Sequence, residues 1–531
     1  MIDKIALLDF IFSSNPNRTE LMGYTPGGNS DKFKIGIYRN HSFELIDKTI
    51  QPYLSLSGMS SEFIYSDYDD SLTFFDVELD VDLLVLWLDV SRYNSDKMES
   101  FINERLRELK KQFNKSILVA TFNGAIEIND KSFCHYDIDK WKVILGDGFI
   151  DERLERFSGT KMGMKTCESV SRDLGLNYFP ALLLPGLKCV VVDLDNTLYQ
   201  GVLGEDGIDG VIFKPEHIQL HQKLKSLAQE GVFICIASKN DHDDVIDFIK
   251  NRADFVLNED DFTCIAANWN SKAESIASFE KTLNIHSSSF LFVDDNMGEL
   301  LSVTNTHPEI KFIHAKDDPA ITLDALSNYP ALLKLNVGTE DRLRSQDTKA
   351  NSKRVELKSS LSKEDYIRSL DMELTYTIDS CEQSERIYEL ANKTNQFIFS
   401  YKRYELTEVE DLMKADDTKL VSVSLKDKLS DSGIIGVVVV QRNKDGSAEL
   451  QECFVSCRAL GRGVDRAVVI GAIKQAIIGL GLTKLHVKFK EGPRNKPALD
   501  FINKHLKEYT LEASEFTYND MNDELKIQVK G

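Results

Sequence analysis

The chain has no apolar run long enough to cross a bilayer, so a helical membrane protein is not expected. It has no Lys/Arg run and no basic stripe. With 64 basic residues against 85 acidic ones and a formal charge of −21, nucleic acid and anionic membrane surfaces are poor partners. It also lacks any Cys-x-x-Cys. The 8 cysteines are scattered; Cys453 and Cys457 lie close together, but no second pair completes a zinc site. The first residues, Met1-Ile2-Asp3-Lys4, lack the basic-then-apolar pattern of a secretory signal, and a reducing cytoplasm is the expected setting.

What is there is an ordinary globular composition, 42% hydrophobic and 28% charged, spread over 531 residues. That length exceeds one core, and a multidomain α/β protein is expected. Residues 1–185 alternate strands and helices: Lys34–Tyr38, then a helix over Phe43–Leu54, the buried run Asp82–Leu88, a helix over Met98–Phe113, and the strand Ser116–Phe122. This alternation predicts a parallel sheet covered by helices, an α/β domain that resembles the SGNH-like type. Asn40-His41-Ser42 follows the first strand, where an esterase nucleophile could sit. No convincing Asp-x-x-His partner follows, so Ser42 is read as a loop polar group and the domain as structural or substrate-presenting.

Residues 186–335 are organised around Val190-Val191-Val192-Asp193-Leu194-Asp195-Asn196-Thr197-Leu198. Hydrophobic residues running into two acids one residue apart read as a buried parallel strand with carboxylates at its C-terminal end, where open α/β sheets bind ligands. Such a pair can hold a hard cation, with one member attacking phosphorus and the other moving a proton. An Asx turn closing a strand fits the short motif equally well. Further along, Pro215 to Gln229 reads as a helix ended by Gly231, and Val232–Ala237 as a strand leading to Ser238-Lys239-Asn240. Another helix follows, with the apolar run Asp254–Leu257 as its strand. Lys272 then starts a helix, and Ser289–Val293 delivers Asp294-Asp295. Phosphoryl transfer needs an anionic nucleophile, a cation, a hydroxyl donor and a fixed ammonium, and each has a candidate here.

These residues resemble the four motifs of haloacid-dehalogenase (HAD) superfamily phosphatases: Asp193-x-Asp195-Asn196-Thr197, Ser238, Lys272 and Asp294-Asp295. The longer run through Leu198-Tyr199-x-Gly201-Val202-Leu203-Gly204-Glu205-Asp206-Gly207, with Ser238-Lys239-Asn240 and Trp269-x-x-Lys272, is similar to the FkbH-like branch. The resemblance implies Asp193 as nucleophile, Asp195 as general acid/base, and Ser238 and Lys272 as holders of the phosphoryl group. It implies Mg²⁺ on Asp193, the Asp195 carbonyl and Asp294, with Asp295 in support. Two positions depart from the pattern. Tyr199 stands in place of Trp, and Met297-Gly298-Glu299-Leu300 replaces a Pro and a Glu-Arg pair, which puts the loop after Asp295 in question. Neither gap between these motifs has room for a folded lid, so a capless HAD Rossmannoid domain is expected. An unlidded site admits large substrates or is covered by a neighbouring domain.

Residues 336–361 are polar and read as a linker or an exposed helix. Residues 362–531 read as α+β. Ser362-x-x-Asp365 is a capping box and Glu382–Thr394 a helix; Val421–Leu425, Gly433–Val440 and Glu449–Cys457 are strands, and a helix covers Val464–Gly479. Between the last strand and helix lies Arg458-Ala459-Leu460-Gly461-Arg462-Gly463, where Arg458, Gly461, Arg462 and Gly463 are candidates for holding phosphate on backbone N–H groups; an ordinary tight turn is the alternative. The loop resembles that of GNAT-type acyltransferases and the C-terminal part of FkbH-like proteins. Asn392-Lys393-Thr394-Asn395-Gln396-Phe397 fits the latter too, with Ile398 in place of an expected Asn. Cys457 is either a thiolate that carries an acyl group, activated by Arg458 and a helix start, or a buried strand-end cysteine.

FkbH-like proteins take a phosphorylated acyl donor, 1,3-bisphosphoglycerate in known cases, load the glyceryl unit onto the phosphopantetheine thiol of an acyl carrier protein, and remove a phosphate. The resemblance therefore implies a bifunctional phosphatase/acyltransferase with Mg²⁺, carrier phosphopantetheine or CoA, an acyl carrier protein partner and a phosphorylated acyl donor. Two alternatives stay open: a HAD phosphatase fused to an N-acetyltransferase in nucleotide-sugar or surface-polysaccharide synthesis, and a non-catalytic scaffold that binds a carrier protein.

Overall fold

The computed structural model describes residues 2–27, 30–68, 72, 80–93, 98–113, 115–130, 132–283, 285–335, 347, 350, 354, 357, 360–394, 397–444, 446–456, 459–460, 462–492, 495–506, 510–512 and 525–530. It divides into two compact units, Met1–Glu280 with Ile285–Val337, and Lys281–Asn284 with Gly338–Gly531. No helix among the described residues is long and apolar enough to cross a membrane.

The first unit holds two parallel five-stranded sheets, so the expected multidomain α/β class is what the chain adopts. The first sheet has the order β2-β1-β3-β4-β5, with β1 at Asp31–Arg39, β2 at Met59–Tyr65, β3 at Leu83–Asp89, β4 at Ser116–Phe122 and β5 at Cys134–Asp137. Its central strand β3 (LLVLWLD) is buried throughout. Alternation sends Leu83, Val85 and Trp87 into one core and Leu84, Leu86 and Leu88 into the other, so both faces must be covered by helices.

The second sheet has the order β10-β9-β6-β7-β8, with β6 at Cys189–Val192, β7 at Phe233–Ser238, β8 at Cys264–Ala267, β9 at Phe290–Asp294 and β10 at Lys311–His314. Strand β6 is central, flanked by β9 and β7, and ends where Asp193 begins. One expectation shifts here. The apolar run Asp254–Leu257 is irregular, and the strand lies later, at Cys264–Ala267. Phe255 and Leu257 are buried because they pack on the helix layer, with Phe255 against the rings of Phe248 and His221, which mimics a strand signal. The run from Gly201 through Gly207 forms a flap, a short helix at Leu203–Gly210 broken at Gly207 (φ 72°) and closed by a bridge between Gln200 and Ile212. The Pro215–Gln229 helix starts with its proline at the first turn and stops before Gly231 (φ 82°). Between Thr197 and Lys272 the chain contains this flap, two helices, a short 3₁₀ turn and two strands; no further folded element is inserted.

The second unit is a mixed seven-stranded sheet, order β16-β15-β14-β13-β12-β11-β17: β11 Glu373–Ile378, β12 Thr418–Lys426, β13 Asp431–Arg442, β14 Ala448–Val455, β15 Lys484–Val487, β16 Thr510–Glu512, β17 Lys526–Lys530. Strands β14 and β15 are parallel and pair over only three residues each, Ala448–Leu450 with Leu485–Val487. Beyond that point the exposed edge of β14 is taken by the chain's own backbone. The Phe399 N–H donates to Cys453 O at 3.1 Å, the Val455 N–H to Phe397 O at 2.9 Å, and the Lys490 N–H to Phe399 O at 2.8 Å. Ile398, the residue out of pattern, is buried and bridges to Phe454. Glu452, fully buried, pins this segment by accepting the N–H groups of Phe399 (2.8 Å), Ser400 (2.9 Å) and Lys402 (2.8 Å).

Candidate active site

Asp193 continues the β6 ladder by donating its N–H to Val293 O at 2.9 Å, so its position is set by the sheet. Ser238 ends β7, Asp294 ends β9, and Lys272 opens the helix after β8. The four sequence-predicted groups therefore converge on one sheet edge. The Lys272 ammonium lies 3.0 Å from Asp193 Oδ2 and 2.6 Å from Asp294 Oδ2, with all three side chains buried. Asp193, Asp294 and Asp295 each present an oxygen within 4.8 Å of the others.

Electrostatics at this edge are unbalanced. Burial raises the Asp193 carboxyl above its usual value, against the Lys272 charge and the Ser238 hydroxyl. Burial, with the Asp193 charge added, pushes Asp294 up to about 7. Asp295 rises for the same two reasons. Burial works to lower the Lys272 ammonium, but Asp193 and Asp294 together hold it above its ordinary value. Asp193 Oδ1 is buried and has no hydrogen-bond partner. An ionised oxygen in that state is costly unless something positive meets it. Three carboxylates with hard oxygen donors, one of them unpartnered, fit Mg²⁺, which prefers oxygen ligands and needs few from protein. Asp193, Asp294 and Asp295 would hold it.

Asp195 is half-buried and tied differently. Its Oδ1 accepts from the Tyr199 hydroxyl at 2.7 Å and the Leu203 N–H at 3.0 Å; its Oδ2 accepts from the Asn240 amide at 2.9 Å. The same amide donates to Ser238 Oγ at 3.0 Å. Asn196 turns the chain in the left-handed region (φ 51°), which Asn tolerates, and its side chain accepts from the Gly201 N–H. His221 donates to Leu198 O at 2.8 Å, fixing the backbone just past the motif. The departure at Met297 is harmless to the metal-facing carboxylates: Asn296 caps the helix Met297–Thr306, and Glu299 pairs with Lys239.

Sequence reading named the four acids, the hydroxyl and the ammonium but gave no role to Asn240 and none to the Tyr199 hydroxyl. The Ser238-Lys239-Asn240 triplet was the available signal, since a buried amide two residues past a strand end must bond something.

Elsewhere, His41 is fully buried, 2.9 Å from Thr160 Oγ1 and stacked on Trp87 and Phe122. Ser42 donates to Glu44, which also pairs with Arg39. These contacts tie the triplet to neighbouring segments of the same domain. In the second unit Cys457, Arg458 and Gly461 lie outside the described residues. Gly463 has φ 80°, as a tight turn needs. Arg462 faces inward: it is 3% exposed and bonds Asp347 at 2.6 Å and Ser432 at 2.9 Å. Its guanidinium is engaged in a buried network with Asp427 and Arg354, not offered to a phosphate. Asp347, Ala350 and Arg354 come from the segment expected as a linker or an exposed helix; they are helical, but buried.

No family model and no curated protein matches the chain. Among solved structures, one similar chain is the N-terminal part of the protein BF1531 from Bacteroides fragilis, containing a phosphatase domain complexed with Mg. It is 18% identical, with 60% of this chain and 100% of that chain covered at a TM-score of 0.48. Another is a ribosomal-protein-alanine N-acetyltransferase from Brucella melitensis biovar Abortus 2308, 13% identical, with 25% of this chain and 91% of that chain covered at a TM-score of 0.19. Both likenesses are too distant to assign chemistry, which rests on the side chains alone.

Proposed function

We propose that this chain is a Mg²⁺-dependent phosphatase of the HAD type, with Asp193 as its nucleophile. The observation that carries the reading is the buried, unpartnered Asp193 Oδ1 beside Asp294, Asp295 and Lys272 at the end of the central strand. The Asp193 carboxylate attacks phosphorus, and the bond from phosphorus to the leaving oxygen breaks as Asp195 gives that oxygen a proton. Asp195 then takes a proton from water as the water oxygen bonds to phosphorus, the bond from phosphorus to Asp193 breaks, and phosphate leaves with Asp193 freed. Lys272 and Ser238 hold phosphoryl oxygens. Mg²⁺, when bound, supplies positive charge against the phosphoryl oxygens.

The acyl half of the proposal is finer and rests on the resemblance of the Arg458–Gly463 loop. In it, the substrate is a phosphorylated acyl donor, 1,3-bisphosphoglycerate as first choice, and the acyl unit passes to an acyl carrier protein thiol. A carrier arm bound along the edge of β14 beyond Leu450 would have to displace residues 397–399, which occupy that edge.

Two measurements test this. Hydrolysis of a simple phosphomonoester should require Mg²⁺ and fall about a thousandfold or more in Asp193→Asn, with the fold retained by circular dichroism. A wild-type protein with no Mg²⁺-dependent activity removes the proposal. Incubation with Mg²⁺, bisphosphoglycerate and a holo carrier protein should add a glyceryl mass to the carrier; its absence removes the acyl half alone.

A further inference from the structure

Resting on the phosphatase reading, we infer that Tyr199 is a positioning residue for Asp195, and that it fixes which carboxylate oxygen moves the proton. The Tyr199 side chain is fully buried. Its ring meets Phe213 and Phe248 edge-on, with centroids 6.1 and 5.1 Å away, so it has no freedom to swing. Its hydroxyl is 2.7 Å from Asp195 Oδ1. The Leu203 N–H, the first of the flap helix, reaches the same oxygen at 3.0 Å. Oδ1 thus carries two donors from opposite sources, the aromatic core and the flap. Oδ2 has one, the Asn240 amide, which also reaches Ser238 Oγ at 3.0 Å.

That asymmetry assigns the work. Two donors on Oδ1 make it the weaker base and lock the carboxylate plane. The remaining open lone pair is on Oδ2, on the side tied through Asn240 to the residue that holds the phosphoryl group. Proton transfer to a leaving oxygen then occurs from Oδ2, and Tyr199 keeps the oxygens from exchanging places by rotation. Proton transfer depends steeply on geometry, so loss of the lock costs rate even though the acid itself remains.

The competing explanation is that Asp195 merely satisfies a buried phenol, since buried hydroxyls need partners. The two differ in leaving-group dependence. A p-nitrophenolate departs without a proton; an alkoxide does not. In the full chain, the first-turnover burst is measured on p-nitrophenyl phosphate and on ethyl phosphate, for wild type and Tyr199→Phe, with melting temperature alongside. The expected result is a burst on ethyl phosphate slowed about 10- to 100-fold, a burst on p-nitrophenyl phosphate changed less than about threefold, and KM nearly unchanged. Equal slowing on both substrates, or none on either, overturns the inference. If Tyr199→Phe does not fold, Tyr199→Trp, which brings an indole N–H into the same aromatic pocket, must keep the wild-type ratio between the two substrates. A different ratio overturns the inference. Wild-type activity that Asp193→Asn does not abolish overturns the phosphatase reading itself, which separates the two failures.

Discussion

Two buried clusters of charge in this chain are opposite in kind. At the end of β6, Asp193, Asp294 and Asp295 crowd within 4.8 Å, Asp193 and Asp294 share the ammonium of Lys272, and Asp193 Oδ1 and Thr197 Oγ1 are buried without partners. In the second unit, Arg354 and Arg462 meet Asp347 and Asp427 with Ser430 and Ser432 between them; two positive charges face two negative ones, and Arg462 Nε is the one atom of this group buried without a partner. The effect on acidity follows. Burial and like charge push Asp294 up to about 7, whereas Asp347, although burial works to raise it, is held below the usual carboxylate range by Arg462, Ser430 and Arg354. A cluster with unmet electrostatic demand is arranged for a ligand; a balanced one holds a fold together.

The largest effect should come from removing the one cation of the unbalanced cluster. Lys272→Met leaves Asp193 and Asp294 facing each other with no ammonium, and about 3–5 kcal/mol of first-unit stability should be lost without Mg²⁺. Saturating Mg²⁺ should restore most of it. Hydrogen exchange of β6 and β9 peptides reads this separately from the rest of the chain. A loss that Mg²⁺ leaves untouched would mean the carboxylates are not arranged for a cation. Arg462→Met is the matching change in the balanced cluster. Asp347 and Asp427 keep Arg354, so the loss should be somewhat smaller, about 3 kcal/mol, confined to second-unit peptides and indifferent to Mg²⁺. If Arg462→Met instead left stability alone, the guanidinium would be free for a ligand, and the contrast between the clusters would collapse.

How much of this could be read beforehand depended on whether the signal was local. Strand ends carrying Asp193, Ser238 and Asp294 were legible because a parallel strand buried on both faces is a continuous apolar run, and polarity resumes where it stops. Phe255 and Leu257 gave the same signal falsely, since core packing beneath a helix layer also needs consecutive apolar residues. Helix boundaries with chemical caps, such as Pro215 and Gly231, fell within a residue of their places. What sequence could not give was pairing between distant residues. Nothing local says that Arg462 turns inward to Asp347, 115 positions earlier, or that Phe397–Phe399 fills the edge of β14. The hydroxyl of Tyr199 was hidden for a related reason: an aromatic side chain is first read as core, and its polar atom only matters once Asp195 is seen beside it.

A smaller contrast separates the two units by acid response. His221, whose Nε2–H fixes Leu198 O, has its imidazole lowered from an ordinary 6.5 to about 4 by burial. The unfolded chain therefore binds the proton more readily than the fold does. The stability tied to His221 is fully present above pH 6.5 and is lost as pH falls towards 4, at about 1.4 kcal/mol per pH unit. Asp347, with a lowered pKa, behaves otherwise: its contribution is present above its ordinary 3.8 and is lost only as pH falls below that. Between pH 6.5 and 4 the first unit should weaken through His221 while the Asp347 network holds. Other groups in the first unit titrate too, the raised Asp294 in the opposite sense, so the comparison is between wild type and His221→Gln at each pH. The stability difference read from β6 and Pro215–Gln229 peptides should favour wild type at pH 8 and shrink steadily below 6.5. A difference that stays constant across that range would show that His221 binds its proton as readily in the fold as in the unfolded chain, and that Leu198 is held by an imidazole whose charge costs the domain nothing.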